Sequence, residues 1–419
     1  MARIYVEAHG CSASYSDSEM ISGILLNGGH TLARSESESD AGVLVTCSVK
    51  DATADRMIHR IKSMGRKPLV VAGCMPKAER ETVERFAGNA SLMGPGSLGS
   101  ALRMVDSALN GSRAVALDGE ASKPDLPRVR LNRSISIVQI ASGCMSECSF
   151  CQTKLAKGDV SSYRPGDIVR QVRRDVADGC KEVWLSSTDN GCYGLDVGTD
   201  LPTLLDTVTG VPGDFVVRVG MMNPMYMPRI RDRLVLSYRS PKVYKFLHVP
   251  VQSGSDRVLA AMRRGHTAGT FRDVVRRFRE EFPRFTISTD VITGFPSETD
   301  EEFEETVSLI RDVRPDITNI SRYSARPGTE AAGMEQLDVA TIKRRSRIIH
   351  DLTTRISLES NREWIGWRGD VLFAESVPSG ARGRSPAYRP VHVPDEVQPG
   401  RRRVLVTGAT EHGMSGVLD

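Results

Sequence analysis

The chain has 419 residues, 40% hydrophobic and 26% charged, with a net charge of only +4. That length exceeds one ordinary core, so two or three domains are expected. No run approaches the ~18 to 20 apolar residues of a membrane span, and Met1-Ala2-Arg3-Ile4-Tyr5-Val6 leads into a strand-like segment rather than a signal peptide. A cytoplasmic protein without membrane attachment is expected, and so mild a charge does not by itself argue for nucleic acid.

The first hundred residues alternate strand and helix signals. Strands are predicted at Arg3–Glu7, Val43–Thr46 and Pro68–Ala72, and helices at Asp17–Leu26, Asp51–Ser63 and Lys77–Phe86. This βαβαβα order predicts a parallel sheet covered by helices over residues 1–118. Gly119–Arg133, with two prolines and several charges, reads as a linker. A second alternating series fills residues 134–360. Its strands fall near Ser134–Ile140, Glu182–Ser186, Phe215–Val219, Val243–Val249, Thr286–Ile292 and Asp316–Ser321, and its clearest helices at Pro165–Ala177, Phe271–Glu281 and Asp300–Val313. Six βα units suit a partial (β/α)6 barrel. A basic helix near Ala340–Asn361 closes it. Residues 362–419 carry short strands at Asp370–Ala374, Arg389–Val393 and Arg402–Thr407, separated by Gly and Pro, which predict a small β-barrel. The fold class is α/β with this appended barrel.

Eight cysteines without a secretory signal point to metal or redox chemistry. Cys144, Cys148 and Cys151 form a C-x3-C-x2-C loop directly after the first barrel strand. Three thiolates can ligate three irons of a 4Fe–4S cluster and leave the fourth open to a chelating amino acid, as S-adenosylmethionine would be. One-electron reduction would then cleave the cofactor to a 5′-deoxyadenosyl radical. A zinc site is the alternative, but it needs a fourth ligand, and no Cys or His follows at finger-like spacing. Cys11, Cys47 and Cys74 each follow a predicted strand of the first sheet. Loops after parallel strands open on one edge, so these dispersed cysteines should meet and hold a second cluster with one open iron. Any single one could be an ordinary buried residue.

The C-x3-C-x2-C spacing with Phe150 resembles the radical S-adenosylmethionine superfamily. His9-Gly10-Cys11 with Asp17-Ser18-Glu19, Val45-Thr46-Cys47-Ser48-Val49-Lys50, and Ala72-Gly73-Cys74-Met75-Pro76 resemble the cysteine motifs of the methylthiotransferases. The resemblance spans the chain and implies an auxiliary 4Fe–4S cluster, a radical core and a carboxy-terminal barrel called TRAM. Ser14 and Val45 depart from it, standing where that family usually has Asn. Ser142-Gly143-Cys144, Gln152-Thr153-Lys154, Glu182–Gly194, Met221-Met222-Asn223-Pro224 and Gly408–Gly413 are most similar to the archaeal and eukaryotic branch, which acts on N6-threonylcarbamoyladenosine beside the tRNA anticodon. The eukaryotic members usually end in a membrane anchor, and this chain ends at Asp419 without one, so an archaeal cytoplasmic enzyme is expected.

The implied reaction removes hydrogen from adenine C2, inserts sulfur and caps it with methyl from a second S-adenosylmethionine. It takes tRNA, a low-potential electron donor and a sulfur donor as partners, and no acid–base pair is expected to carry it. The rivals are methylthiotransferases acting on isopentenyladenosine tRNA or a ribosomal-protein aspartate, and a non-catalytic iron–sulfur RNA-binding protein. Thr188, Asp189, Arg218, Asn223, Gln252 and Tyr323 lie at barrel-strand ends and suit the sulfonium cofactor and its adenosine. The superfamily resemblance adds Gly294, whose neighbourhood would hold the adenine by its backbone. Arg264 and Arg326 match family motifs without an assigned role. Cys180 is expected to be packed and Cys192 not to be a ligand. Lys343-Arg344-Arg345-Ser346-Arg347 and Arg401-Arg402-Arg403 are candidate phosphate contacts or solvated faces.

Overall fold

The computed structural model describes residues 1–47, 51–119 and 122–419, so Ser48, Val49 and Lys50 of the second cysteine motif lie outside the described residues. The amino-terminal sheet is entirely parallel, in the order Thr31–Leu32, Arg3–Ala8, Ala41–Thr46, Leu69–Gly73, Ser91–Met93, Val115–Ala116. Its central strands Ala41–Thr46 and Leu69–Gly73 are buried throughout, because helices cover both faces. Ser12–Asn27 and Ala101–Leu109 pack on one side, and Asp51–Met64 and Arg80–Phe86 on the other. The three expected βα units are present. The last two strands and Ala101–Leu109 extend the sheet beyond them.

Two helices differ from expectation. The first starts at Ser12, not Asp17, and is buried on both sides. Met20, Ile21 and Leu25 face its own sheet, while the Ser16 hydroxyl donates to the Ile137 carbonyl of the first barrel strand at 3.0 Å. The helix expected at Lys77–Phe86 is two short pieces, Met75–Ala78 and Arg80–Phe86, because Glu79 leaves helical geometry at φ −135°, ψ 44°. The expected linker is also tightly held. Lys123 is only 2% exposed and donates to Asp17 at 2.6 Å and to Gln139 at 3.1 Å, stitching sheet to barrel.

The six strands of the second series are all parallel: Ile135–Gln139, Glu182–Ser186 and Val216–Val219, then Phe246–His248, Thr286–Thr293 and Ile317–Arg322. A bridge between Val217 and Val243 joins the two triplets. Side chains alternate between the faces. Val138, Val183, Leu185, Val217, Leu247, Ile287 and Val291 pack outward beneath the covering helices, so Gln139, Trp184, Arg218, His248 and Asp290 face the concavity. The carboxy-terminal strands Arg368–Val377, Gly380–Arg384, Pro390–Val393, Gly400–Thr410 and Gly413–Leu418 close into a barrel around Val371, Phe373, Val391, Val404 and Val406. This barrel leans into the concavity: Leu372 and Tyr388 pack with Val216, Tyr244 and Phe246, and Ala374 with Ile135, Ile137 and Trp184.

Candidate functional site

The C-x3-C-x2-C loop is built at the carboxyl end of the first barrel strand. Gly143 turns the chain at φ 70°, and a Cβ there would lie 1.8 Å from the Asp159 carbonyl oxygen, so no side chain fits. Lys154 clamps the loop by donating to the Cys144 carbonyl at 2.7 Å while pairing with Glu147 at 2.8 Å and Asp159 at 2.7 Å. Ser149 bonds the backbone of Ala261 and Met262, and Phe150 meets Phe295 edge-on, which in turn meets Tyr323. Arg264 is buried and donates to the Cys148 sulfur at 3.3 Å. This gives a contact to a residue that sequence left unassigned.

Asp189 and Asn223 are brought together beside this loop. Asp189 Oδ1 accepts from the amides of Gly191 at 2.8 Å and Asn223 at 3.0 Å, and the Asn223 amide group donates to Ser146 at 3.3 Å. Burial, reinforced by the Cys144 thiolate, raises the Asp189 pKa to about 7. Cys192 is closer to the cluster loop than expected: its sulfur, the Cys144 sulfur and an Asp189 oxygen all lie within 4.8 Å of one another. The neighbouring Cys192 thiol and the Ser146 amide, opposed by burial, hold the Cys144 pKa below the ordinary thiol value, while the Cys192 thiol itself donates to the Asp189 carbonyl at 3.3 Å. Cys180 is packed, its thiol donating to the Glu182 carbonyl.

The remaining expected residues spread around the strand ends. Gln252 holds φ 71°, an uncommon conformation for a side-chain-bearing residue, and its amide bonds the Asp290 carbonyl at 2.8 Å. The Gly294 amide is taken by Glu298 at 3.2 Å, and Tyr323 packs in a small apolar cluster with Met262 and Phe295. Arg218 lies apart from the Asp189 network by its contacts. Its guanidinium is boxed by Trp184, Phe246 and Tyr388 at 5.3 to 5.5 Å, the last from the carboxy-terminal barrel.

Gln152 Nε2 and Oε1, Thr188 Oγ1, Asp189 Oδ2, Thr293 Oγ1 and Arg264 Nε are all buried without a partner. Each such atom costs about 1 to 3 kcal/mol. Such a set, at the ends of two barrel strands, on the helix that follows the cysteine loop and on Arg264 against Cys148, fits a polar cofactor seated on an iron–sulfur cluster.

The second cysteine set converges as the strand order requires. A Cβ on Gly10 would lie 2.4 Å from Cys47 Cβ, so the first and second cysteine loops touch. The Cys74 amide bonds the Thr46 carbonyl at 3.2 Å, bringing the third beside them. Ser14, the departure from the family pattern, still reaches the Cys11 sulfur at 3.7 Å, whereas Val45 is simply core. Burial pushes the Cys74 thiol up to about 12. Cys74 and Cys151 cap two short helices, Met75–Ala78 and Gln152–Lys157, which pack on each other.

Residues 138–310 match the Radical SAM superfamily, and residues 3–94 match Uncharacterized protein family UPF0004. Over 379 residues the chain is 39% identical to the probable threonylcarbamoyladenosine tRNA methylthiotransferase of Pyrococcus horikoshii, covering 89% of each. It is 40% identical over 416 residues to the protein of that name from Methanothermobacter thermautotrophicus, covering 97% of each. The chain belongs to the threonylcarbamoyladenosine tRNA methylthiotransferases. The Drosophila melanogaster threonylcarbamoyladenosine tRNA methylthiotransferase is 36% identical over the whole of this chain and 78% of its own length. The fold of this methylthiotransferase is shared with the radical S-adenosylmethionine methyltransferase TsrM from Kitasatospora setae, at a TM-score of 0.56 and 14% identity over 79% of this chain and 75% of that one. The methylthiotransferase is thus an enzyme with a radical S-adenosylmethionine domain over residues 138–310. Among the described residues, no helix is long and apolar enough to cross a membrane.

Proposed function

We propose that this methylthiotransferase modifies C2 of N6-threonylcarbamoyladenosine beside the anticodon with three working parts: 1–118 for sulfur handling, 134–360 for radical formation and 362–419 for holding tRNA. The observation that carries this reading is the packing of two short helices, one capped by Cys74 and the other by Cys151, a cysteine from each set. Cys144, Cys148 and Cys151 hold the radical cluster, and Cys11, Cys47 and Cys74 the auxiliary one. The radical cluster, when bound, supplies the electron that cleaves S-adenosylmethionine. Thr188, Asp189, Asn223 and Gln252 hold the cofactor's polar groups, with the backbone near Gly294 and the Tyr323 ring on its adenosine side. Arg264 keeps a positive charge on the Cys148 sulfur. Arg218, ringed by aromatic side chains in the concavity, faces the side from which the substrate base arrives. The electron donor is a low-potential carrier, the sulfur donor is external, and the compartment is the cytoplasm.

Anaerobically reconstituted protein is expected to bind about eight irons, as two 4Fe–4S clusters do. Cys148→Ala should yield neither 5′-deoxyadenosine nor modified tRNA. Cys47→Ala, once shown to be folded, should still yield 5′-deoxyadenosine while nucleoside mass spectrometry finds no methylthio group. Wild-type methylthiolation by folded Cys47→Ala would remove the sulfur role from the first sheet.

A further inference from the structure

The seam between the radical core and the carboxy-terminal barrel carries two arginines with no counter-charge. Arg218 and Trp184 are register partners on adjacent parallel strands. The Arg218 guanidinium lies 5.5 Å from the Trp184 ring, 5.4 Å from Phe246 and 5.3 Å from Tyr388. Arg384, on the barrel strand Gly380–Arg384, lies 4.9 Å from the same Tyr388 ring. One ring is thus shared by two cations, one from each domain. Tyr388 is held there at φ 61°, a left-handed conformation that bulky residues rarely adopt. Neither guanidinium makes a hydrogen bond or an ion pair among the described residues, and Arg218 Nε is buried without a partner. The acids nearby are engaged elsewhere: Glu182 accepts from the Trp184 indole at 2.9 Å, and Glu375 lies 3.9 Å from Arg382. Burial raises the Glu182 pKa against the opposing pull of Trp184 and Arg384, which weakens it further as a counter-charge.

Aromatic faces hold a guanidinium by its plane and take none of its N–H donors, which stay in that plane as a fork. Two such forks in a corner walled by rings suit a planar anion that can be gripped by both of its oxygens, and a carboxylate is that anion. The threonylcarbamoyl group on N6 carries a carboxylate on its threonine, whereas an isopentenyl group is apolar. We infer that Arg218 and Arg384 receive the threonyl carboxylate of the substrate base and so select it over bases with uncharged N6 substituents. The inference rests on the substrate reading above and names the residues that would enforce it. Arg218 lies on the strand Val216–Val219, whose exit leads to Asn223. The N6 substituent therefore enters the concavity while C2 stays at the radical loop. Because Arg384 and Tyr388 come from the carboxy-terminal barrel, that domain completes the base pocket.

The test uses reconstituted holoenzyme kept unreduced, so that RNA binds without turnover. Dissociation constants are measured for two anticodon stem-loops, one with the N6-threonylcarbamoyl group and one with its threonine as the carboxamide. Wild type should prefer the acid by about tenfold or more, the scale of a hydrogen-bonded charge pair. Arg218→Met, which keeps the stem in the aromatic box, should reduce that preference to within about threefold, and Arg384→Met should reduce it too. If Arg218→Met does not fold, Arg384→Met alone decides the matter. A wild-type preference below about threefold overturns the inference, as does a full preference retained by Arg218→Met. Equal weakening of acid and amide in the variants also overturns it, because the arginines would then serve the RNA backbone, the cofactor or the fold. Reduced wild type that fails to methylthiolate the acid stem-loop defeats the substrate reading itself, a failure visible before any variant is made.

Discussion

Glu19 shows how a family motif can be read for presence but not for cause. Asp17-Ser18-Glu19 is recognisable in the sequence, yet what it does depends on residues over a hundred positions away. Asp17 accepts from both Lys123 and Gln139, and Glu19 accepts from the Leu131 amide at 2.9 Å with its other oxygen buried and unpartnered. Burial, only partly offset by that amide, lifts the Glu19 pKa from 4.5 to about 7. In the unfolded chain the carboxyl ionises near its ordinary value, so between pH 4.5 and 7 the folded state binds the extra proton. Stability therefore falls as pH rises through that window, by roughly 3 kcal/mol once above it. Glu19→Gln keeps an acceptor for Leu131 and removes the titration. Thermal unfolding should show the variant matching wild type near pH 5 and exceeding it by roughly 2 to 3 kcal/mol at pH 8. A constant difference across the range would mean that Glu19 is not the titrating group.

At the scale of elements, what was legible followed periodicity, and what was not depended on tertiary partners. Pro165–Ala177, Glu182–Ser186 and Asp300–Val313 lie where their apolar patterns put them. The start of the first helix was obscured because Ser12, Ser14 and Ser16 read as loop. They are helical because they lie near the radical core, Ser12 bonding Ser186 at 2.8 Å. Gly380–Arg384 and Gly413–Leu418 carry little strand propensity and exist through their ladders in the closed barrel. Likewise the cysteine triads were visible as motifs. The lysine that clamps the loop was not, since nothing in Lys154-Leu155-Ala156-Lys157 says which lysine turns back on the cysteines. Lys154 is the one that turns back. It ties both flanks of the cysteine loop, and its partners Glu147 and Asp159 are largely exposed although Lys154 itself is not, so Lys154→Met should release that loop while costing the fold only about 1 kcal/mol. Iron loss to a chelator should then be several-fold faster from the radical cluster, with the melting temperature nearly unchanged. Equal rates in variant and wild type would show the clamp to be dispensable.

At the scale of the whole molecule, the carboxy-terminal barrel is part of the core's closure as well as a candidate tRNA surface. Leu372, Ala374 and Tyr388 cover apolar residues of the concavity, and the buried Arg389 joins Asp316 to Asn361 across the junction. Removing residues 362–419 would therefore strip Phe246, Tyr244 and Ile137 of their cover, and such a truncation should aggregate rather than report on tRNA affinity. Point changes are the informative route, and the structure narrows them. Arg345 is buried against Glu298 at 2.7 Å, and Arg344 pairs with Asp300 at 2.9 Å, so neither belongs with the candidate phosphate contacts. Arg401 leans on Asp214 at 3.1 Å. Arg402 and Arg403 remain exposed on the strand Gly400–Thr410, with Arg403 only 3.7 Å from the terminal Asp419. If these two meet tRNA phosphates, each contact releases counterions and contributes about 0.7 to 0.9 to the slope of log K against log salt. Replacing both with alanine should therefore flatten that slope by roughly 1.4 to 1.8. It should weaken tRNA binding most at low salt and leave 5′-deoxyadenosine formation intact, since no reacting group is near them. A slope unchanged within error would place the tRNA backbone on another face, with the exposed Lys343 and Arg347 of the helix Val339–Arg362 the next residues to replace.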